Sequence, residues 1–236
     1  QGQDFDVSGI PDEYIIGYVL THVMTAKEAI LPLAEIFQFD IIESEGMIKF
    51  NKRGSSGNEI TVSDNELGIK EEGNDVPKII VTRKQENELP TKVAIEYLNY
   101  DLDYLKDSQE YELEEEKHFK NEHSLSYAIV MEADTALQTA ERMLKTAWKQ
   151  NTDFELTLGI DRIEIEPSDV ILTSGYRIMV TDITLHAPGY INIKGVSEDQ
   201  TTYVSDAEAE EVYYVPVTQQ RDMATFSQIM ELPITA

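Results

Sequence analysis

Residues 132–151 constrain the fold more than any other stretch. In Glu132-Ala-Asp-Thr-Ala-Leu-Gln-Thr-Ala-Glu-Arg-Met-Leu-Lys-Thr-Ala-Trp-Lys-Gln-Asn151, the apolar residues Ala133, Ala136, Leu137, Ala140, Met143, Leu144, Ala147 and Trp148 fall at helical spacing. They form one stripe that must be covered. Glu132 and Asp134 begin the segment and Lys145 and Lys149 end it, as the helix dipole favours. Asn151, tolerant of a left-handed backbone, is the expected terminator. The pattern then turns to alternation at Phe154, Leu156, Leu158 and Ile160, so the helix is expected to pack on the sheet containing that strand.

A second alternating run, Arg162-Ile-Glu-Ile-Glu-Pro167, predicts a strand ended by a turn at Pro167-Ser-Asp169. Val170–Thr173, Ser174-Gly175 and Tyr176–Leu185 then read as a hairpin. Upstream, Tyr14–Val23 is strand-like, and Thr25 with Glu28 makes a capping box for a helix reaching Phe37, with Pro32 tolerated inside it. Asp40–Glu43 and Met47–Phe50 form a small hairpin around Ser44-Glu-Gly46. Asn51–Gly57 reads as a flexible loop and Ser63–Asp75 as a linker or ordered surface excursion. Further strands are expected at Ile79–Arg83, Lys92–Tyr100, Ser108–Glu115 and Leu125–Met131, the third an edge strand guarded by its charges. Tyr190–Val196 and Thr201–Val204 are hairpin-like, Asp206–Glu211 is an acidic run, and Val212–Ala236 reads as an extended arm.

The fold class predicted is α+β, mainly β. Barrel-like antiparallel sheets carry one long bracing helix, beside a smaller N-terminal helix-plus-hairpin unit. Three regions follow: 1–75 as that N-terminal α+β unit, 76–185 as a β-barrel-like domain with helix 132–151, and 186–236 as strands and extended C-terminal arm.

At 236 residues the chain can bury a substantial core. It opens on Gln1 and carries no signal-like segment, which predicts a piece of a longer polypeptide. Cysteine is absent, which removes disulfides and thiolate metal sites. No apolar run approaches the roughly 20 residues of a membrane-spanning helix. With 45 acidic against 19 basic residues the formal charge is −26, and such a chain repels nucleic-acid phosphates and anionic lipid.

Candidate chemistry is sparse. His22, His118, His123 and His186 are scattered, and the five-residue gap between His118 and His123 is poor ligand spacing. Gly54-Ser-Ser-Gly57 lacks the lysine of a phosphate loop. Glu164 and Glu166 would share a strand face, as paired acid and base groups require, yet such pairs are common in an acidic chain. Asp101 and Asp103 lack the remaining ligands of a calcium loop, and Asp161-Arg162 reads as an internal ion pair or nothing. Trp148 completes the helix stripe and is assigned to the core. Tyr97, Tyr100 and Tyr104 offer an alternative reading, a carbohydrate-binding module with a stacking face. No catalytic, cofactor-binding or metal residue is assigned, and no cofactor is expected.

Several segments carry a resemblance to a known family. Thr82-Arg-Lys-Gln-Glu-Asn-Glu-Leu-Pro90, Val93-Ala-Ile-Glu-Tyr97 and Asp103-Tyr104 resemble the start of the tail-hub domain of phage tail proteins, the family that includes the large host-contacting protein of gene transfer agents. Ala140-Glu-Arg-Met-Leu144 with Ala147-Trp148 is similar to that family's helix. Ile165-Glu-Pro-Ser-Asp-Val170 is similar to its turn, with Ser168 in place of a glycine. Gly17-Tyr-Val19, Ala29–Ala34 and Met47-Ile-Lys-Phe50 resemble the preceding segment, and Tyr203 and Glu231-Leu-Pro233 its closing arm. The resemblance implies a non-enzymatic baseplate or tail-tip hub of the virion tail. It would be homotrimeric, with the distal tail protein and tape measure as partners, and would let DNA pass without specific binding.

Overall fold

The structure is a computed structural model that describes residues 4–10, 14–55, 59–68, 77–113, 119–186 and 189–209. Three sheets and two long helices account for these residues. In the first sheet β1 (Asp4–Asp6) lies parallel to β4 (Met47–Lys52), which pairs antiparallel with β3 (Phe39–Ser44). Helix α1 (Ala26–Phe37) packs on it through Ala34 against Phe39 and Phe50, with Ile30 and Leu33 around them. The Thr25 hydroxyl accepts from the Glu28 N–H at 3.2 Å while the Glu28 carboxylate accepts from the Thr25 N–H at 2.8 Å. Both expected halves of the capping box are present, and the helix runs through Pro32 to Phe37. Thr25→Ala is expected to lower stability by about 1 kcal/mol in a denaturant titration.

The second sheet has the order β2 (Gly17–Tyr18), β9 (Glu122–Met131), β7 (Lys92–Asn99), β8 (Lys106–Glu112). Strand β7 alternates strictly, burying Val93, Ile95, Tyr97 and Asn99 on one face. That face meets α2 (Ala133–Lys149), whose Ala136, Ala140 and Leu144 are wholly buried. The two alanines let the helix backbone approach the sheet closely, and Leu144 alone contributes about 2 kcal/mol of burial. Trp148 packs at the edge of this core, and its indole N–H donates to the Pro90 carbonyl at 2.7 Å.

The third sheet has six strands in the order β5 (Glu59–Thr61), β11 (Val170–Thr173), β12 (Tyr176–His186), β13 (Tyr190–Ser197), β10 (Thr152–Gly159), β6 (Ile79–Arg83). Its core is separate, built from Phe154, Leu156, Leu158, Ile171, Ile178, Val180, Ile191 and Ile193 and closed below by Val62, Leu67 and Ile165. The 3-10 turn at Gln200–Tyr203 follows β13 and the chain then crosses α2 from its C-terminal to its N-terminal end. Lys149 pairs with Asp199 at 3.0 Å, Gln138 donates to the Ala207 carbonyl at 3.1 Å, and the Ala209 N–H donates to Asp134 at 2.7 Å. Thr201's hydroxyl and N–H, then Lys149, hold the Asp199 carboxyl down to about 2. A depressed carboxyl stabilises fully above its unfolded value of about 4. This strap should therefore loosen as pH falls from about 4 to 2, seen as faster hydrogen exchange at residues 199–209.

Several expectations need correction. The protein is α+β and mainly β, but all three sheets are open, so barrel-like describes it loosely. Helix α2 covers β7 and β8 and not the sheet of Phe154–Ile160, because that sheet is closed by its own apolar residues. The helix ends at Gln150, whose N–H bonds the Thr146 carbonyl, and Asn151 is not left-handed. Of Tyr14–Val23 only Gly17 and Tyr18 form a strand, paired with β9 and followed by a bond from the Val19 N–H to the Ala128 carbonyl, and Thr201–Val204 is a 3-10 turn rather than a strand. Arg162–Pro167 is a pair of tight turns: Ile163 is exposed, Ile165 is buried, and the Asp169 carboxylate accepts the Glu166 N–H at 2.8 Å. Ser168 is left-handed at φ 76°, so the turn at Pro167–Asp169 stands even without a glycine. The arm beyond residue 209 and the stretch 69–76 lie outside the described residues.

Candidate functional site

The four-stranded sheet presents one face to α2, and among the described residues nothing packs across the other at Lys92, Ala94 and Glu96. Because β7 alternates, burying Val93, Ile95 and Tyr97 turns Lys92, Ala94 and Glu96 the other way. Register places Glu112, Glu110, Ser108 and Lys106 of β8 beside them, and Glu122, Ser124 and Ser126 of β9 on the opposite side. The result is a polar face with two lysines against four glutamates, a net charge of −2.

Its charges are laced across strands. Lys92 pairs with Glu110 at 2.5 Å and Glu122 at 3.5 Å, and its ammonium titrates above the usual lysine range chiefly through the Glu110 hydrogen bond. Glu96 accepts from Lys106 at 2.7 Å and from the Ser126 hydroxyl at 2.9 Å, which together lower its carboxyl. Lys92 lies between two acids and Lys106 pairs with Glu96, while Glu110, Glu112 and Glu122 are exposed. Such a surface repels polyanions without presenting a convergent pocket.

The residues singled out in the sequence go to separate places. Glu166 accepts from the Ser44 hydroxyl and pairs with Lys49 at 3.7 Å, tying the β3–β4 hairpin to the turn before β11. Glu164 instead faces Arg162 at 3.6 Å, and Arg162 is held by Glu66 at 2.8 Å. The two glutamates therefore share neither a strand face nor a partner. Tyr97 is 1% exposed and donates to Asp107 at 3.1 Å, which removes it from any stacking face. Tyr100 and Tyr104 stand edge to face, 6.1 Å apart, on the exposed β7–β8 turn with Asp101 and Asp103. His22 contacts Thr21 at 3.0 Å, His123 is exposed on β9, and His186 stacks on Tyr190 at 5.0 Å. His118 lies outside the described residues. Among the described residues no three metal-ligating side chains gather. Sequence reading missed the bare face itself. Its signal was present in the alternation of Lys92, Ala94, Glu96 against Val93, Ile95, Tyr97.

The family described as "Putative phage tail protein" matches residues 25–183, well over half the chain and spanning both helices and most of this face. The chain belongs to this phage tail protein family. As a phage tail protein it is a structural component of the virion tail. Among solved structures, it is similar to a chain in the virion of a native gene transfer agent particle, at 18% identity and a TM-score of 0.77, covering 88% of this chain and 46% of that one. A tail protein from Neisseria meningitidis MC58 gives 10% identity and a TM-score of 0.57, covering 85% and 63%. The 43 kDa tail protein of prophage MuSo2 from Shewanella oneidensis gives 13% identity and a TM-score of 0.56, covering 86% and 63%. At such identities the likeness is one of fold. The chain spans less than two thirds of each of these structures. No curated protein matches the sequence significantly, and no helix among the described residues is long and apolar enough to cross a membrane.

Proposed function

We propose that this phage tail protein is a subunit of the tail-tip hub, assembled as a homotrimer, with the bare face of the four-stranded sheet turned to the passage taken by DNA. The observation that carries the reading is that face: a sheet backed by α2 on one side and, among the described residues, left open, polar and net negative on the other. DNA carries one charge per about 1.7 Å of axis, so a lining of carboxylates keeps it from adhering while it slides. A chain charge of −26 supports the same reading. The distal tail protein and the tape measure are the partners such a position would give it. The role is one of scaffolding and not of bond-making, which fits the engagement of Glu166 and Tyr97 in structural contacts.

Changing Glu122, Ser124 and Ser126 of β9 together to lysine tests this, because these positions line the face and lie away from the β8 edge. Tails of normal shape that deliver DNA at least tenfold less efficiently are the expected result. Normal delivery from normally assembled tails would remove the face from the passage.

A further inference from the structure

Two sheet edges that no described residue pairs with carry opposite charge. Strand β6 ends the six-stranded sheet, and the Lys84 N–H donates to the Asn151 carbonyl at 2.8 Å, which sets the alternation along the antiparallel pair. Ile80 and Thr82 thus turn their main-chain groups to β10, whereas Ile79, Val81 and Arg83 turn theirs outward. Ile80 and Val81 are 40% and 45% exposed. Lys78, Arg83 and Lys84 give residues 78–84 a charge of +3 in a chain of −26, and since Lys84 pairs with Asp153 of β10 at 3.4 Å, Lys78 and Arg83 carry the charge of the edge.

Strand β8 ends the four-stranded sheet. The Leu113 N–H bonds Thr91 at 2.9 Å and the Asn99 N–H bonds Leu105 at 2.9 Å, so Lys106, Ser108, Glu110 and Glu112 present their main-chain groups outward. One lysine against Asp107, Glu110 and Glu112 leaves this strand at −2. The other free edges are poorer: β1 and β5 have three residues each, β2 has two and lies in an uncharged segment, and the side chains of β3 are largely covered.

Charged edges normally guard against strand addition. Here the guard is selective. Two β6 edges repel one another and two β8 edges do the same, but a β6 edge and a β8 edge attract. We propose that β6 of one copy pairs edge to edge with β8 of a second copy. The contact is head-to-tail, of the kind that closes into a ring when the rotation allows. Outward N–H and C=O groups on both strands are satisfied, and Ile80 and Val81 lose solvent exposure. The inference rests on the multi-copy hub reading and names the surface through which copies would join.

The absence of cysteine makes the test clean. Val81→Cys and Thr82→Cys, which point to opposite faces of β6, are each purified, mixed with a Ser108→Cys preparation of the full chain, and oxidised at rising concentration. The expected result is a disulfide-linked species in at least one mixture, tenfold above any single preparation. It should be lost when Arg83→Glu is added to the β6 partner and restored by Glu112→Lys in the β8 partner. Linkage confined to single preparations would mean two-fold pairing and overturn the proposal. So would an absence of linkage, whether light scattering finds a monomer or an assembly. An assembly without linkage would leave the hub reading standing, since that reading fails on DNA delivery instead.

Discussion

Gly195→Ala is expected to destabilise the protein by about 2–3 kcal/mol, although nothing about the local backbone forbids alanine. Gly195 lies in β13 opposite both Phe154 of β10 and Val180 of β12, at the point where the β12 ladder shifts register between Val180 and Asp182. A Cβ there would sit 2.5 Å from the Ile178 side chain and 2.6 Å from the Met179 carbonyl oxygen. The second atom is main chain and cannot swing aside, so the shifted strand itself must move. Gly46→Ala provides the contrast, because Gly46 has φ 78° and a Cβ there would meet none of the described residues within 4 Å. Its loss should be only about 1 kcal/mol, from backbone strain alone. Chemical denaturation of the two variants separates packing from conformation. Equal losses would mean that β12 relaxes freely at its bulge.

Arg177→Met is expected to be costlier still, about 3–5 kcal/mol, because it strands a buried charge. Arg177 donates through Nε to Glu198 and through Nη2 to Glu59 at 2.9 Å, joining β12, the end of β13 and β5. The Glu198 side chain is fully covered, and its Oε1 has no hydrogen-bond partner among the described residues. Burial pushes the Glu198 carboxyl up, and Arg177 opposes that rise. Without the guanidinium the carboxyl should rise further. A raised carboxyl binds its proton more tightly in the folded state, so stability increases as pH falls from above the folded value towards the unfolded one. The variant should thus recover on mild acidification. Adding Glu198→Leu should return much of the loss at neutral pH, since an apolar pair replaces an unpaired charge. Failure of both recoveries would show that Arg177 acts through packing rather than charge.

Local signals in the sequence were read well where one element dictated its own form. The capping box of Thr25 and Glu28, the stripe of α2, the alternation of β7 and β10, and the turn at Ser174-Gly175 all depend on neighbours within a few residues. Pairings between distant short strands were not legible. β1 with β4 and β5 with β11 are parallel contacts of three residues each, and such runs carry too few side chains to announce a partner. The partner of α2 was ambiguous for a different reason. An amphipathic helix accepts any alternating sheet, and the choice of β7 over β10 depends on which sheet is already closed by Ile165, Leu67 and Val62. Arg162–Pro167 alternates like a strand, but Pro167 and the Asp169 carboxylate together fold it into turns. The candidate face went unread, although the alternation that buries Val93, Ile95 and Tyr97 also turns Lys92 and Glu96 the other way. The contact of Glu166 with Ser44 spans 122 residues and left no local trace.

The most direct test is an electron cryomicroscopy map of the assembled tail that resolves the orientation of this chain. The account predicts that Glu96, Glu110 and Glu122 face the central axis, with α2 on the outer side of the four-stranded sheet. A map placing α2 towards the axis and those glutamates on the outer surface of the tail would contradict it.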